Sequence, residues 1–148
     1  MSTETRSPRR VFLDAIVAAA QGVRGGAYKV IRGAVNWTGH DFEANPSAVA
    51  IVVDEGELDM DQRQYGALIT LELFAKPKQA GSGLREINDD LMERLFADGL
   101  SIIASVQAQR NKDGDGAVIA VLPRLRWTEV SDADRGVQGI MWQISVKL

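Results

Sequence analysis

Residues 111–116 have the sequence Asn-Lys-Asp-Gly-Asp-Gly and match the first half of a calcium-binding loop of the EF-hand type. Such a loop needs oxygen ligands at positions 1, 3 and 5 and a glycine at position 6. The twelfth position, where a bidentate glutamate would complete the coordination, is Leu122, and Pro123 follows where a helix should begin. An Asp-Gly turn between two strands explains the same residues. The missing ligand favours this turn over a weak calcium site, so we predict no metal.

The residue types needed for covalent or acid–base catalysis are scarce. His40 is the only histidine and the chain has no cysteine, which excludes a two-histidine or thiolate metal site, a disulfide and a cysteine nucleophile within one chain. No serine lies in a nucleophile-elbow motif, so His40 has no marked partner to activate. Gly81-Ser82-Gly83 could bind an anion before a helix, but it lacks the lysine and spacing of a phosphate-binding loop. We therefore predict a protein that is not an enzyme and uses no cofactor.

An acidic run is the strongest charge feature of the chain. Seven acidic residues and no basic residue lie between Asp41 and Asp61. Paired carboxylates could in principle chelate magnesium or act as a general acid and base. Because nothing nearby supplies a phosphate cradle, a solvated face or a face that lines an interface is the better interpretation. Five of these residues are clustered: Asp54, Glu55, Glu57, Asp59 and Asp61.

The first 35 residues have the opposite charge. They contain six basic and two acidic residues, which gives +4, against −7 for the acidic run; the remaining 92 residues balance, and the total is −3. The basic residues are Arg6, Arg9, Arg10, Arg24, Lys29 and Arg32. Opposite charges on one surface allow copies to join head to tail, and such contacts close into a ring when the rotation permits. The alternative is that both zones are solvated loops.

The length of 148 residues is typical of one domain, and 45% hydrophobic and 25% charged residues are ordinary for a globular fold. We expect a flexible N-terminus at residues 1–7 and a single domain at 8–148. The apolar stretch Val11–Ala20 is interrupted by Asp14 and is shorter than a membrane span of roughly 20 residues. Net acidity disfavours a dedicated nucleic-acid binder. The composition suits a protein made in the cytoplasm, without a targeting segment.

Two amphipathic helices must position these residues. The first begins at Ser7-Pro8, with serine as the N-cap and proline in the first helical position, and Gly25-Gly26 ends it. The second is predicted over Leu84–Phe96 with one apolar stripe, and it ends near Asp98-Gly99. Residues Leu100–Gln109 are compatible with a helix continuation or a strand, and we favour a strand for part of them.

Strands account for most of the remaining chain. A loop is expected at Asn36–Ser47 and an acidic connection at Asp54–Gln64. Trp142, in the alternating last strand, is predicted to lie in the core, and Trp127 is the second candidate. The element order predicts an α+β fold with a mixed or antiparallel β-sheet and two amphipathic helices packed on one face. The predicted strands are Tyr28–Val35, Ala48–Val53, Tyr65–Ala75, Ala117–Val121, Arg124–Val130 and Ile140–Leu148.

Seven elements follow one another in an order that is itself informative. They are the helix Arg9–Val23, a strand after it, the proline-led strand Pro46–Val53, the acidic connection Asp54–Gln64, the alternating strand Tyr65–Ala75, the charged helix Leu84–Phe96 and the closing strand Gly139–Leu148. This pattern resembles the tail-terminator family (tail tube terminators or minor tail proteins) of long-tailed bacteriophages. The resemblance spans nearly the whole chain and is one of element order and length, since no single motif is diagnostic.

The resemblance implies a structural virion protein at the neck end of the tail. A homohexameric ring would cap the completed tail tube and provide the head-joining surface around the DNA channel. Its partners would be copies of itself, the tail tube protein on one face and a head-completion or neck protein on the other. DNA would pass through without specific binding, and no membrane would be involved.

Carried onto this sequence, the resemblance assigns roles to two charged sets. The acidic set becomes a candidate loop that lines the lumen or contacts the next ring, and an acidic wall would repel phosphate and let DNA slide. The arginines become a candidate subunit interface. The loop residues are Asp54, Glu55, Glu57, Asp59 and Asp61, and the interface residues are Arg9, Arg10, Arg24 and Arg32.

Two other functions stay open from the sequence. Another ring protein of the head–tail neck would have a similar fold and size. A small-ligand-binding α+β module would instead have a concave apolar pocket with a few convergent polar groups.

Overall fold

The computed structural model describes residues 8–33, 42–43, 48–59, 64–77, 87–110, 118–121, 125–132 and 136–147. Their elements are two α-helices, a 3-10 turn at Val23–Gly25 and seven strands. The helices are α1 (Pro8–Gly22) and α2 (Asp89–Ser105). The strands are β1 (Tyr28–Arg32), β2 (Ala48–Asp59), β3 (Gln64–Ala75), β4 (Ala108–Arg110), β5 (Val118–Val121), β6 (Arg126–Asp132) and β7 (Val137–Lys147).

The strands form one mixed sheet in the order β1-β2-β3-β7-β5-β4. β1 and β2 are parallel, and all the other described pairs are antiparallel. β7 has two neighbours on its outer side, because β6 pairs with its first half and β5 with its last residues. A mixed sheet combined with two helices confirms the predicted α+β fold.

Both helices pack on the same face of the sheet, as predicted. Alternate residues of the three central strands meet in register there, for example Ala50, Leu73 and Ile140. They share one buried cluster with apolar residues of both helices, including Phe12 from α1 and Leu95 from α2. Full burial of each large apolar side chain contributes about 1.5–3 kcal/mol, so this cluster is the main source of stability.

The opposite face of the sheet holds a smaller apolar cluster. Val49, Ile51, Phe74 and Val137 are buried there, and neighbouring apolar side chains pack against them. Glu72 lies half-buried on β3, and its burial raises the pKa of its carboxyl group. This face is therefore also partly removed from water.

The predicted acidic connection at Asp54–Gln64 was wrong for most of its length. β2 continues to Asp59 and β3 begins at Gln64, with Glu57 paired opposite Gly66. Acidic residues and glycine have low strand propensity, which favoured a loop, but pairing with a neighbouring strand overrides propensity. The two strands thus form a long β-hairpin.

The predicted bounds of the second helix were also wrong. α2 begins after Asn88, whose side-chain oxygen accepts a hydrogen bond from the Leu91 amide at 3.1 Å and caps the helix. It then passes through Gly99 and ends at Ser105, so the favoured strand in Leu100–Gln109 is limited to β4 at its end. Gly99 serves packing and not helix termination, because a Cβ there would lie 2.1 Å from Nε1 of Trp142.

Candidate functional site

The acidic residues of β2 are distributed over both faces of the hairpin. Strand alternation puts positions 55, 57 and 59 on one face and position 54 on the other. The register therefore assigns positions 55, 57 and 59 to the face opposite the helices and position 54 to the other face. Asp61 lies outside the described residues. The acidic group foreseen as a loop is a stripe along a strand.

Three of the four predicted interface arginines lie on the outer elements α1 and β1. Arg9 is the second residue of α1. Nε of the exposed Arg10 donates to Oδ1 of Asp14 at 3.0 Å, one helical turn away, and such exposed pairs contribute at most about 0.5 kcal/mol. Arg32 is exposed on β1 and donates from Nη1 to the Val52 carbonyl at 2.8 Å. Their role in an interface stays a prediction.

Arg24, the fourth predicted interface residue, forms an ion pair within the chain. Its Nε and Nη2 donate to both carboxylate oxygens of Asp98 at 2.7–3.0 Å. The Tyr28 hydroxyl donates to Asp98 Oδ2 at 2.6 Å. Asp98 is only 4% exposed, whereas the Arg24 side chain is 45% exposed. The three residues join the end of α1, β1 and α2, so Arg24 has a structural role.

The Arg24 backbone is strained in this arrangement. Its φ of 49° and ψ of 42° lie in the left-handed region, which costs a residue with a side chain about 1 kcal/mol. The bidentate pair with Asp98 offsets this cost. The sequence did carry a signal for Asp98, because it falls within the apolar stripe of α2 between Leu95 and Ile102, where a carboxylate needs a partner.

Burial, together with the hydrogen bond to the Asp98 carboxylate, raises the pKa of Tyr28 well above its usual value. An unfolded tyrosine titrates near pH 10, so this contribution to stability is complete below about pH 10 and is lost as the pH rises further. We expect the free energy of unfolding to fall by roughly 1.4 kcal/mol per pH unit above that point because of Tyr28 alone. Urea unfolding of wild type and Tyr28→Phe between pH 8 and 11 measures the difference.

The matched control for that titration is Tyr65→Phe, which removes the only other tyrosine. It leaves the Tyr28–Asp98 hydrogen bond intact, so its free energy of unfolding should still fall above about pH 10. An equal pH slope in wild type and Tyr28→Phe would contradict the assignment.

An aromatic cluster lies where α2 meets β6. The Phe96 ring centroid is 5.4 Å from that of Trp127, edge to face, and 4.9 Å from that of Trp142. The two tryptophans face each other across β6 and β7 with centroids 5.9 Å apart. Trp142 is 1% exposed, which confirms the core prediction, but Trp127 is 55% exposed. The second core candidate was wrong because β6, among the described strands, pairs only with β7 and is incompletely covered by α2.

Beside this cluster is a groove of about 380 Å³ between α2 and β6. Apolar side chains of both elements and three carboxylates line it. None of its described lining residues is basic. This aromatic groove therefore combines an apolar surface with negative charge, which favours a cationic occupant. Its lining residues are Asp89, Met92, Glu93, Phe96, Trp127, Glu129 and Ile140.

Several motifs that the sequence analysis weighed and disfavoured as sites fall on residues that the structure does not describe. They are His40, the loop Gly81-Ser82-Gly83 and the EF-hand-like segment 111–116. Among the described residues, no three histidine, cysteine, aspartate or glutamate side chains are grouped to hold a metal ion. Within the same residues, no helix is long and apolar enough to cross a membrane.

Comparison of the sequence with protein-family models finds no match, and comparison with curated proteins finds none at a significant level. The function is therefore inferred from the acidic hairpin, the aromatic groove and the resemblance in element order.

Proposed function

We propose that this chain is a structural protein of a bacteriophage tail, a tail terminator that assembles with copies of itself into a hexameric ring. The ring caps the completed tail tube and provides the surface that joins the head. Its location is the neck end of the tail in the virion. The chain carries out no reaction in this role.

The acidic stripe on the β2–β3 hairpin is the observation that carries the proposal. Glu55, Glu57 and Asp59 share one face of the hairpin. DNA carries one negative charge per roughly 1.7 Å of its axis, so a wall of carboxylates repels it and cannot retain it. Repeated around a ring of six, the stripe would form an acidic channel lining or a ring-to-ring contact.

The direct test is electron microscopy of the purified chain mixed with tubes of its cognate tail tube protein. The proposal expects rings at one end of the tubes and an arrest of tube growth. A chain that stays monomeric with tubes present and leaves them growing would contradict it. Rings that bind a neck protein but never cap a tube would favour the alternative, another connector ring of the head–tail neck.

Reversing the stripe charges tests the channel role. We expect Glu55→Lys/Glu57→Lys/Asp59→Lys to create non-specific DNA binding with a Kd of about 10⁻⁴–10⁻⁶ M, because cationic contacts to phosphate release counterions. Binding measured by fluorescence anisotropy should weaken steeply with salt, and genome passage through assembled tails should fail.

The matched control is Asp54→Lys, which changes one charge on the other face of the same strand. It should cause much less DNA binding than Glu57→Lys, the single change within the stripe. Equal effects of these two single variants, or infectious particles assembled normally from the triple variant, would argue against an acidic channel wall.

A small-ligand-binding module is the second candidate function, and the aromatic groove favours it. A volume of about 380 Å³ is near the lower end of small-molecule sites, which span roughly 300–1,000 Å³. A ligand that binds the groove and quenches Trp127 fluorescence in a chain that never forms rings would support this function over a tail terminator.

A further inference from the structure

We propose that the aromatic groove between α2 and β6 binds the arginine-containing segment Met1–Arg10 of a neighbouring copy of the chain. This inference rests on the proposed self-assembly and specifies the contact between subunits. It assigns the acceptor side to α2 and β6, whereas the sequence had suggested the acidic run Asp41–Asp61 as the opposite charge.

The groove has the apolar character of an interaction site. Trp127 is 55% exposed on a strand that pairs on one side only within the described sheet. Tryptophan is enriched among the residues that dominate the binding energy of protein interfaces. Phe96 supports the Trp127 ring edge to face and holds it at the groove.

The charge of the groove selects a cation. Asp89 and Glu93 are four residues apart on α2 and lie on the same side of the helix, where like charges destabilise it by about 0.2–0.5 kcal/mol. Glu129 adds a third carboxylate from β6. A bound cation relieves this repulsion, so the groove is electrostatically complementary to a basic segment.

Arginine matches the groove better than lysine. Its planar guanidinium can stack on the Trp127 ring and donate hydrogen bonds to a carboxylate at the same time, whereas an ammonium group cannot stack. The segment Met1–Arg10 contains Arg6, Arg9 and Arg10 against the single acid Glu4. Arg10 donates to Asp14 in its own helix, so the test below varies Arg6 and Arg9.

A neighbouring copy is the occupant because this chain itself carries both charges, three carboxylates in the groove and three arginines in Met1–Arg10. The end of α1 is fixed to α2 by the Arg24–Asp98 pair. Pro8, the first residue of α1, lies 14 residues before Gly22 at the other end, which is about 21 Å along the helix axis. A contact between this end of one copy and the groove of the next is head to tail, and such a contact can repeat and close into a ring.

Two full-length variants test the contact by complementation. One is Arg6→Ala/Arg9→Ala, which lacks the donor arginines, and the other is Glu93→Gln/Glu129→Gln, which lacks two acceptor charges. Each should self-associate at least tenfold more weakly than wild type in sedimentation velocity. Mixed together, they should form a one-to-one dimer, because one intact groove and one intact segment remain. Asp90→Asn, an exposed acid of α2 outside the groove lining, is the control and should assemble like wild type.

A synthetic peptide Met1–Arg10 gives an independent measurement on the groove. It should quench Trp127 fluorescence in the Arg6→Ala/Arg9→Ala chain, and a peptide with lysine at all three arginine positions should bind about fivefold more weakly, as expected for a lost stacking contact. Equal binding of both peptides, or complementation that never occurs, would overturn the inference.

The failures of the two proposals are distinguishable. If both groove and segment variants still form rings, the contact is wrong while the proposed function stands. If wild type remains monomeric with tail tubes present, the proposed function fails and the contact between copies fails with it. Binding of the segment to the groove of its own chain would give concentration-independent quenching and would also overturn the inference.

Discussion

Replacing Arg24 with alanine is expected to lower the free energy of unfolding by about 3 kcal/mol, the lower end for breaking a buried ion pair. Asp98 is 4% exposed and would keep only the Tyr28 hydroxyl as a partner. The loss stays at the lower end because Arg24 is 45% exposed, and water can partly replace its guanidinium. Urea unfolding at pH 7 measures the change.

Three further variants separate the contributions at this site. Arg24→Gly removes the same ion pair but relieves the left-handed backbone, so it should be about 1 kcal/mol more stable than Arg24→Ala. Arg24→Lys keeps the charge but loses the bidentate geometry, so its free energy of unfolding should lie between those of wild type and Arg24→Ala. The double variant Arg24→Ala/Asp98→Asn should lose less free energy of unfolding than the two single variants lose in sum. Strict additivity, or an unchanged stability of Arg24→Ala, would show that the pair contributes nothing.

Gly99→Ala is expected to destabilise the fold by at least about 2 kcal/mol, although alanine is the better helix former by about 1 kcal/mol. The added Cβ would lie 2.1, 2.7 and 2.9 Å from three atoms of the Trp142 indole. That ring is 1% exposed and packed against Phe96, so it has little room to move. Thermal unfolding measures the stability, and near-ultraviolet circular dichroism should report the displaced indole.

Gly22→Ala is the matched control for that substitution. Gly22 ends α1 with an ordinary φ of −92°, and no atom lies within 4 Å of a Cβ built there. Alanine at this position should therefore be neutral or slightly stabilising. A Gly99→Ala protein as stable as Gly22→Ala would mean that α2 does not approach β7 as closely as described.

The parts of the fold that could be predicted depend on local pattern. The start of α1 at Pro8 follows from a proline that suits the first helical turn, and most of β7 follows from the alternation that begins at Ile140. The extension of β2 to Asp59 could not be predicted in the same way. Its acidic residues are poor strand formers, and only the partner strand β3 explains their conformation.

The candidate site was predictable in composition but not in arrangement. The acidic group was recognised, yet the separation of Asp54 from the stripe required the strand register. The ion pair of Arg24 could not be predicted, because its partner Asp98 is 74 positions away in the sequence. The aromatic groove was missed because the exposure of Trp127 depends on which strand lies at the side of the sheet, a property of topology.

The place of β7 in the middle of the sheet also has a kinetic consequence. It joins β3 to β5 and β6, yet it is the last described strand of the chain. A nascent polypeptide synthesised only as far as α2 would leave one side of β3 without hydrogen-bonding partners, so the sheet cannot be completed on the ribosome before residues 137–147 have emerged. Contacts of such long sequence separation slow folding. Prematurely terminated chains would therefore be unable to fold.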